Sequence, residues 1–301
     1  MTTLTVSPET SGLEITALSR RAAARQQTLA SAVTLRGRGL HGGDECAVTI
    51  HPAEPDTGIV FVGLSERIPA VVDNVVDTSR GTTLGVNGTR VRTVEHLMAA
   101  LRGKGIDNAV VEVRGTETPA LDGSALPYVE AIDSTGVVAQ DRPRATLRLR
   151  EPVVVRQNGS FIAAVPGIGL RITYVLNYDH PLIGAQVVTY KFSESDFGRE
   201  IAPARTFVLY EEVAELLDND LARGGSLENA IVIWRDRVSS RLRFPDELVR
   251  HKVMDLVGDL ALIGCFLEAE IVAVKSGHAL NVEFAKRVRE VHTEAHSFGR
   301  G

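Results

Sequence analysis

The sequence predicts an α+β fold of two similar domains, each with β-sheets packed on helices, and an active site in the cleft between them. Three observations lead there. The chain has 301 residues, the length of two ordinary domains or one large one. Strand-like runs alternating with turns fill most of it, interrupted by a few helical segments. The plan also repeats: in each half several strands lead to a histidine-bearing helix and then to an apolar strand. "EHLMAALRGKGIDNAVVEV" and "RHKVMDLVGDLALIGCFLEAEIVAV" carry this likeness. Small-molecule sites commonly form in a cleft between such units.

The elements follow in order. Residues 1–27 place their basic residues after mild hydrophobes and contain no sustained apolar segment. They read as a mobile tail rather than a secretory signal, with the fold beginning near Thr28. "SAVTLRGRGLHGGDECAVTIHPA" reads as two strands around a Gly-rich turn, and "GIVFVG" as a third. "TVEHLMAALRGKG" is a compact helix with Thr93 as N-cap and Gly103 and Gly105 at its end. The strand "DNAVVEVRG", the turn-rich "TPALDGSALP" and a helix from Pro127 to Ser134 complete the first domain. "VVAQDRPRA" is short, polar and Pro-containing, so it reads as a boundary between domains 28–142 and 143–301. Four strand-like segments follow: "TLRLREPVVV", "SFIAAVP", "LRITYVLNY" and "AQVVTYKF". After them come a helical region "TFVLYEEVAELLDNDL", the segment "GGSLENAIVIW", a helix from Asp246 to Phe266, the strand "EAEIVAVKSG" and a closing helix.

Composition narrows the function. A net charge of −5 and 5% aromatic residues argue against a nucleic-acid partner. No apolar run approaches the length of a membrane span, so no stable membrane insertion is expected. Cys46 and Cys265 form no CxxC pair, and Cys265 reads as a free thiol buried in "ALIGCFL". A disulfide framework or cysteine zinc site is therefore not expected, and a reducing cytoplasm fits.

The chemistry starts in "VRHKVMDLVGD". At 100° per residue, His251, Asp255 and Asp259 share one helical stripe, Lys252 falls near Asp259, and Val249, Val253, Leu256, Val257 and Leu260 occupy the opposite arc. His251 and Asp255 at i, i+4 suit a divalent metal, but two ligands leave a zinc site incomplete. A lone HxxxD is more often an ion pair supporting its helix. The balance shifts with "RTVEHLMAAL", whose His96 would complete a His–His–Asp set across the cleft and leave one position open. Glu95 beside it is placed to act as general base. His278, at the end of the strand before "KSGHALN", is equally readable as a loop residue or as a cationic acid oriented by Asp259.

These residues fall within blocks that resemble a known family. "GRGLHGG", "RTVEHLMAALRGKGIDNAVVEV", "TETPALDGSALP", "ARTF", "GGSLENAIVI", "LRFPDELVRHKVMDLVGDL" and "VKSGHALN" are similar to the signature blocks of the UDP-3-O-(3-hydroxyacyl)-N-acetylglucosamine deacetylases, zinc amidases of lipid A biosynthesis. The resemblance runs from about Thr28 to the end. It implies one zinc per chain on His96, His251 and Asp255, with Glu95 as base, His278 as cationic acid and Asp259 as its orienting partner. By the same resemblance Thr206 stabilises the oxyanion, Lys252 and Lys275 favour the nucleotide diphosphate, and His41 belongs to the block lining the sugar and acyl entrance. A βαβ insert over about 207–238 would form an acyl passage, with Phe207, Gly225, Leu227, Ala230 and Val232 as wall residues. The implied substrate is an acylated UDP-sugar, and the implied protein is a cytoplasmic monomer. The alternatives are a zinc amidase for another acylamino-sugar, or a silent sugar-nucleotide or lipid binder. A binder has no need of Glu95 and His278 beside a complete metal set.

Overall fold

The computed structural model describes residues 24–63 and 66–298, so the expected tail lies outside the described residues up to position 23. Two sheets share one strand order. In the first, Val33–Arg38, Glu45–Pro52, Ala109–Arg114, Ile59–Gly63 and Glu66–Pro69 are neighbours in that order. In the second the order is Val153–Gln157, Ser160–Val165, Phe266–Val274, Leu170–Asn177 and Ala185–Lys191, with Thr146–Arg148 pairing onto Phe266–Val274. In each sheet two hairpins form from local sequence, and a strand arriving after a helix inserts between them. That central strand is parallel to one neighbour and antiparallel to the other. A parallel pair needs a long crossover, and the histidine-bearing helix forms part of it. The repeated plan in the sequence is thus a repeated topology.

The helices are α1 (Glu95–Gly103), α2 (Leu126–Thr135), the short α3 (Phe197–Glu200), α4 (Tyr210–Asp218), α5 (Glu247–Ala261) and α6 (His278–Phe298). Helix α2 packs on the first sheet, α5 and α6 pack on the second, and α1 and α5 pack on each other. This sandwiching removes the solvent-facing arc that a surface helix keeps. Nearly all of α1 and α5 is buried, including the polar stripe His251, Asp255 and Asp259. Gly258 permits the close approach: a Cβ there would lie 2.1 Å from the Glu95 carbonyl oxygen. Gly258→Ala is therefore expected to cost about 1–3 kcal/mol, as overpacking does, measured as a lower midpoint in denaturant unfolding.

Several expectations are corrected. Ordered structure is already present before Thr28, because Arg25–Leu29 is a strand that pairs antiparallel with Val137–Pro143. The segment "VVAQDRPRA" is therefore mostly strand, and not an open connection. Its partner strand buries polar side chains, which hydrophobic alternation cannot detect: Gln26 bonds Asp56, and Thr28 donates to the Asn108 carbonyl at 2.7 Å. Thr93 is not the N-cap of α1; Val94 holds that position, and the Thr93 hydroxyl donates to Glu117 instead. The segment "TFVLYEEVAELLDNDL" opens as a strand, Phe207–Leu209, before α4 begins. Finally α5 stops at Ala261, not Phe266. Phe266 starts the central strand opposite Thr146, with the guanidinium groups of Arg102 and Arg144 stacked 3.9 and 4.0 Å from its ring centre. Cys265 is accordingly half-buried rather than buried in a helix, and both cysteines are free.

The insert is a compact βαβ unit. Phe207–Leu209 runs parallel to Ile231–Ile233, and α4 lies between them in sequence. Among the described residues no helix is long and apolar enough to cross a membrane.

Candidate active site

The first turn of α1 and the middle of α5 meet where the two helices pack. Candidate ligand atoms of His96, His251 and Asp255 lie within 4.8 Å of one another. His96 Nε2 is 3.7 Å from Asp255 Oδ1, and His251 Nε2 is 3.4 Å from the same oxygen. The two imidazoles meet edge-on, with centroids 5.2 Å apart. His251 Nδ1 lies 3.1 Å from the Ala204 carbonyl oxygen. That oxygen only accepts, so Nδ1 carries the hydrogen and the Nε2 lone pair faces the site.

This set fits a tetrahedral zinc ion. Ligands at 2.0–2.1 Å from zinc and at the tetrahedral angle stand roughly 3.3 Å apart, close to the His251–Asp255 distance. Asp255 Oδ1 is buried with no hydrogen-bond partner, which is costly unless something else satisfies it. Burial and the neighbouring His251 hold His96 down at about 3, and burial also lowers His251. Both imidazoles are thus neutral donors, as metal ligation requires. Burial works against the Asp255 charge, yet the cations beside it, Lys252 and His278, help hold it below the usual carboxylate range. Lys252 Nζ donates to Asp255 Oδ2 at 2.6 Å, so it serves this carboxylate and not Asp259, its angular neighbour on the helical wheel.

Glu95 and His278 face each other across the same space. Burial lifts the Glu95 carboxyl to about 7; Asp259 and Asp255 add to this, while His278 and the Thr82 N–H oppose it. Burial disfavours the His278 cation, but Asp259, Glu95 and Asp255 overcome that and raise it to about 9. His278 Nδ1 donates to Asp259 Oδ2 at 2.9 Å, leaving Nε2 3.9 Å from Glu95 Oε1. Two opposed carboxyl and imidazole groups with displaced pKa values are the usual mark of a base paired with an acid.

Asp259 is itself fixed by residues that sequence patterns do not reveal. Its Oδ1 accepts from Thr82 Oγ1 at 2.6 Å, and its Oδ2 also accepts from Asn281 Nδ2 at 2.8 Å. The Thr82 backbone N–H meanwhile donates to Glu95 Oε2 at 2.9 Å. Thr82 therefore links the Glu95 and Asp259 carboxylates from a loop whose sequence carries no helical or strand signal. Asn281 is legible only as a member of the "KSGHALN" block.

A cavity of about 500 Å³ opens over these groups. Glu95, His96, His251, Asp255, His278, Thr206, Phe207, Lys252 and Lys275 all line it. So do Tyr174, Tyr178, Ser160, Arg80 and Glu212, which no sequence pattern singles out. Thr206 is set by its backbone: its N–H donates to the Gly123 carbonyl and its carbonyl accepts from Ile231, both at 2.8 Å. Gly123 has φ +80°, and a Cβ there would fall 1.9 Å from the Asn229 carbonyl oxygen, so only glycine fits that seat. Next to it Arg205 and Glu247 form a buried pair at 2.9 Å that anchors the "ARTF" block. His41 lies buried beside this cavity, with Nε2 3.3 Å from the Arg80 carbonyl oxygen. Gly225, Leu227, Ala230 and Val232 stand outside its lining; Leu227 is 54% exposed.

A family model described as LpxC, UDP-3-O-acyl N-acetylglycosamine deacetylase, matches residues 26–290. A UDP-3-O-acyl-N-acetylglucosamine deacetylase of Myxococcus xanthus is 46% identical over 271 residues, covering 87% of this chain and 86% of the relative. Proteins of the same name from Chlamydia caviae and Thermodesulfovibrio yellowstonii are 44% and 41% identical, each covering 88% of this chain and 97% and 92% of their own lengths. With that match spanning both sheets and every residue of the metal-sized cluster, the chain belongs to the UDP-3-O-acyl N-acetylglycosamine deacetylase family.

Proposed function

We propose that this chain hydrolyses the 2-acetamido group of UDP-3-O-acyl-N-acetylglucosamine, releasing acetate and UDP-3-O-acyl-glucosamine, the committed step of lipid A biosynthesis. The observation that carries the reading is the meeting of His96 with His251 and Asp255 around an unpartnered buried oxygen, with Glu95 and His278 opposed beside it. One zinc ion per chain held by those ligands would supply Lewis acidity to the carbonyl and to water.

The residues then divide the work. The Glu95 carboxylate takes a proton from the attacking water as its oxygen bonds the acetyl carbon. The Thr206 hydroxyl donates to the carbonyl oxygen as negative charge collects there. His278, held by Asp259, gives its proton to the departing nitrogen as the C–N bond breaks, leaving acetate and a free amine. Lys252 and Lys275 favour the diphosphate, His41 borders the sugar and acyl entrance, and the βαβ insert walls the acyl chain with Phe207, Gly225, Leu227, Ala230 and Val232. The same reading takes the chain as a cytoplasmic monomer of two domains that meet near residues 142–143.

The test is acetate release from 3-O-acylated and unacylated UDP-N-acetylglucosamine, with and without a chelator. Release is expected from the acylated substrate alone, lost on chelation and regained with added zinc. Chelator-insensitive release, or equal turnover of both sugars, contradicts the reading. Varying the acyl length alone would report on the passage.

A further inference from the structure

Glu117 is a buried carboxylate to which the reaction assigns no step. It is 3% exposed and has no ion-pair partner among the described residues. Three neutral donors hold it: the His41 N–H at 2.9 Å and the Thr93 hydroxyl at 2.7 Å on Oε1, and the Gly42 N–H at 2.8 Å on Oε2. Burying a carboxylate without a cation is costly, and here it is offset by three donors that a neutral amide of the same shape could not all satisfy. The donors come from two segments far apart in sequence, and each segment leads to a residue that lines the cavity, Leu40 in one and Glu95 in the other.

Thr93 leads to the base. Its φ of +56° lies in the left-handed region, which β-branched residues rarely adopt. Such a conformation persists only where the surroundings over-determine it. Here Glu117 holds the hydroxyl, and Thr118 Oγ1 donates to the Thr93 carbonyl at 2.5 Å. The reversal delivers Val94, whose N–H bonds the Thr82 carbonyl at 3.1 Å, and then Glu95, whose Oε2 accepts from the Thr82 N–H.

The turn 39–44 leads to the insert. Gly39 is required by Glu117 itself, since a Cβ there would lie 2.3 Å from Oε2. On the turn's far side the carbonyls of Leu40 and His41 accept from Gly224 and Arg223 at 3.0 and 3.1 Å. Ala222 N donates to His41 Nδ1 at 3.3 Å. Gly224 is equally constrained, a Cβ there falling 2.0 Å from the Gly39 carbonyl oxygen. Leu40 lines the cavity.

We infer that Glu117 is a positioning residue that both aims Glu95, through Thr93, and seats the βαβ insert, through the turn 39–44. The inference rests on Glu95 being the general base and the insert being the acyl wall. Glu117→Gln keeps the shape but turns one acceptor into a donor facing a donor. Zinc content of the holoenzyme is expected to stay at the wild-type level while kcat falls about 10–100-fold, the scale of a small misplacement of a reacting group. KM for long-acyl substrate is expected to rise more than KM for short-acyl substrate.

Further variants separate the two arms. Thr93→Val is expected to lower kcat with little change in KM, Thr93→Ser to restore it, and Gly224→Ala to change acyl-length preference instead. Combining Glu117→Gln with Thr93→Val is expected to lower kcat no further than Glu117→Gln alone, because both act through one contact. Unchanged kcat and acyl preference in Glu117→Gln, or fully additive losses in the double variant, overturn the inference. Should Glu117→Gln not fold, wild-type kcat in Thr93→Val overturns it equally. Glu95→Gln measured alongside separates the two readings. Full activity there defeats the proposed mechanism, whereas an inactive Glu95→Gln beside an unaffected Glu117→Gln defeats only this inference.

Discussion

Glu95→Gln is expected to lower acetate release by about 10²–10⁴-fold, the usual contribution of a positioned general base, while the protein still takes up its zinc. The amide cannot accept a proton, yet it preserves the volume of a side chain that is 3% exposed. The proposed metal ligands are other residues, so zinc content is expected to match wild type. The pH profile tests the assignment from a second side. Glu95 must be deprotonated to act as base, and its carboxyl is raised to about 7. His278 must be protonated to act as acid, and it is raised to about 9. Rate should therefore rise with pH through the first value and fall through the second. A bound divalent cation favours the carboxylate and disfavours the imidazolium, so both limbs of the zinc-loaded enzyme should lie at or below those values. In Glu95→Gln the acidic limb should vanish from what activity remains. Near-normal turnover, or an unchanged acidic limb, would show that another group takes the proton.

His251→Ala is expected to abolish zinc binding and activity together. Losing a partner that merely orients a ligand costs roughly 10–100-fold in metal affinity, and removing a ligand of a three-residue set should cost more. The variant also leaves Asp255 Oδ1, already without a hydrogen bond, facing a vacated imidazole position. Thermal unfolding supplies a readout independent of turnover. A ligand that binds only the folded state stabilises it by RT ln(1 + [L]/Kd). Chelation should thus lower the Tm of wild type and leave that of His251→Ala nearly unchanged. A His251→Ala protein that keeps stoichiometric zinc would remove His251 from the ligand set.

The residues of these two predictions also separate what is legible in the sequence from what is not. His251 and Asp255 share a helix, so their i, i+4 spacing can be read directly on a helical wheel. Lys252 shows the limit of that wheel. Its angular position points to Asp259, but a long flexible side chain reaches Asp255 instead, 2.6 Å away. Thr93 shows another limit. A threonine ahead of a helix suggests a cap, yet here its hydroxyl goes to Glu117, a residue 24 positions later. The sequence predicts α5 too long because "ALIGCFL" is apolar throughout, and periodicity cannot tell a buried helix end from a buried strand start. The strand Arg25–Leu29 escapes the same reading because its buried members include Gln26 and Thr28, whose partners lie far along the chain.

By itself the sequence determined what is local. It carried the α+β class, the repeated order of strands, helix and strand, and the helix that holds an imidazole one turn from a carboxylate. The family resemblance added further candidates, Thr206, Lys275 and His41 among them. Tertiary structure alone decided the rest, because those features are distances between segments that no short-range rule relates. Burying α1 against α5 brings His96 Nε2 to 3.7 Å from Asp255 Oδ1, the oxygen that His251 approaches along its own helix. The same burial strips water from Glu95 and His278, and removal of solvent beside specific charges is what moves their pKa values. A residue's chemistry is written in its side chain, but its protonation and its partners are properties of the packed interior.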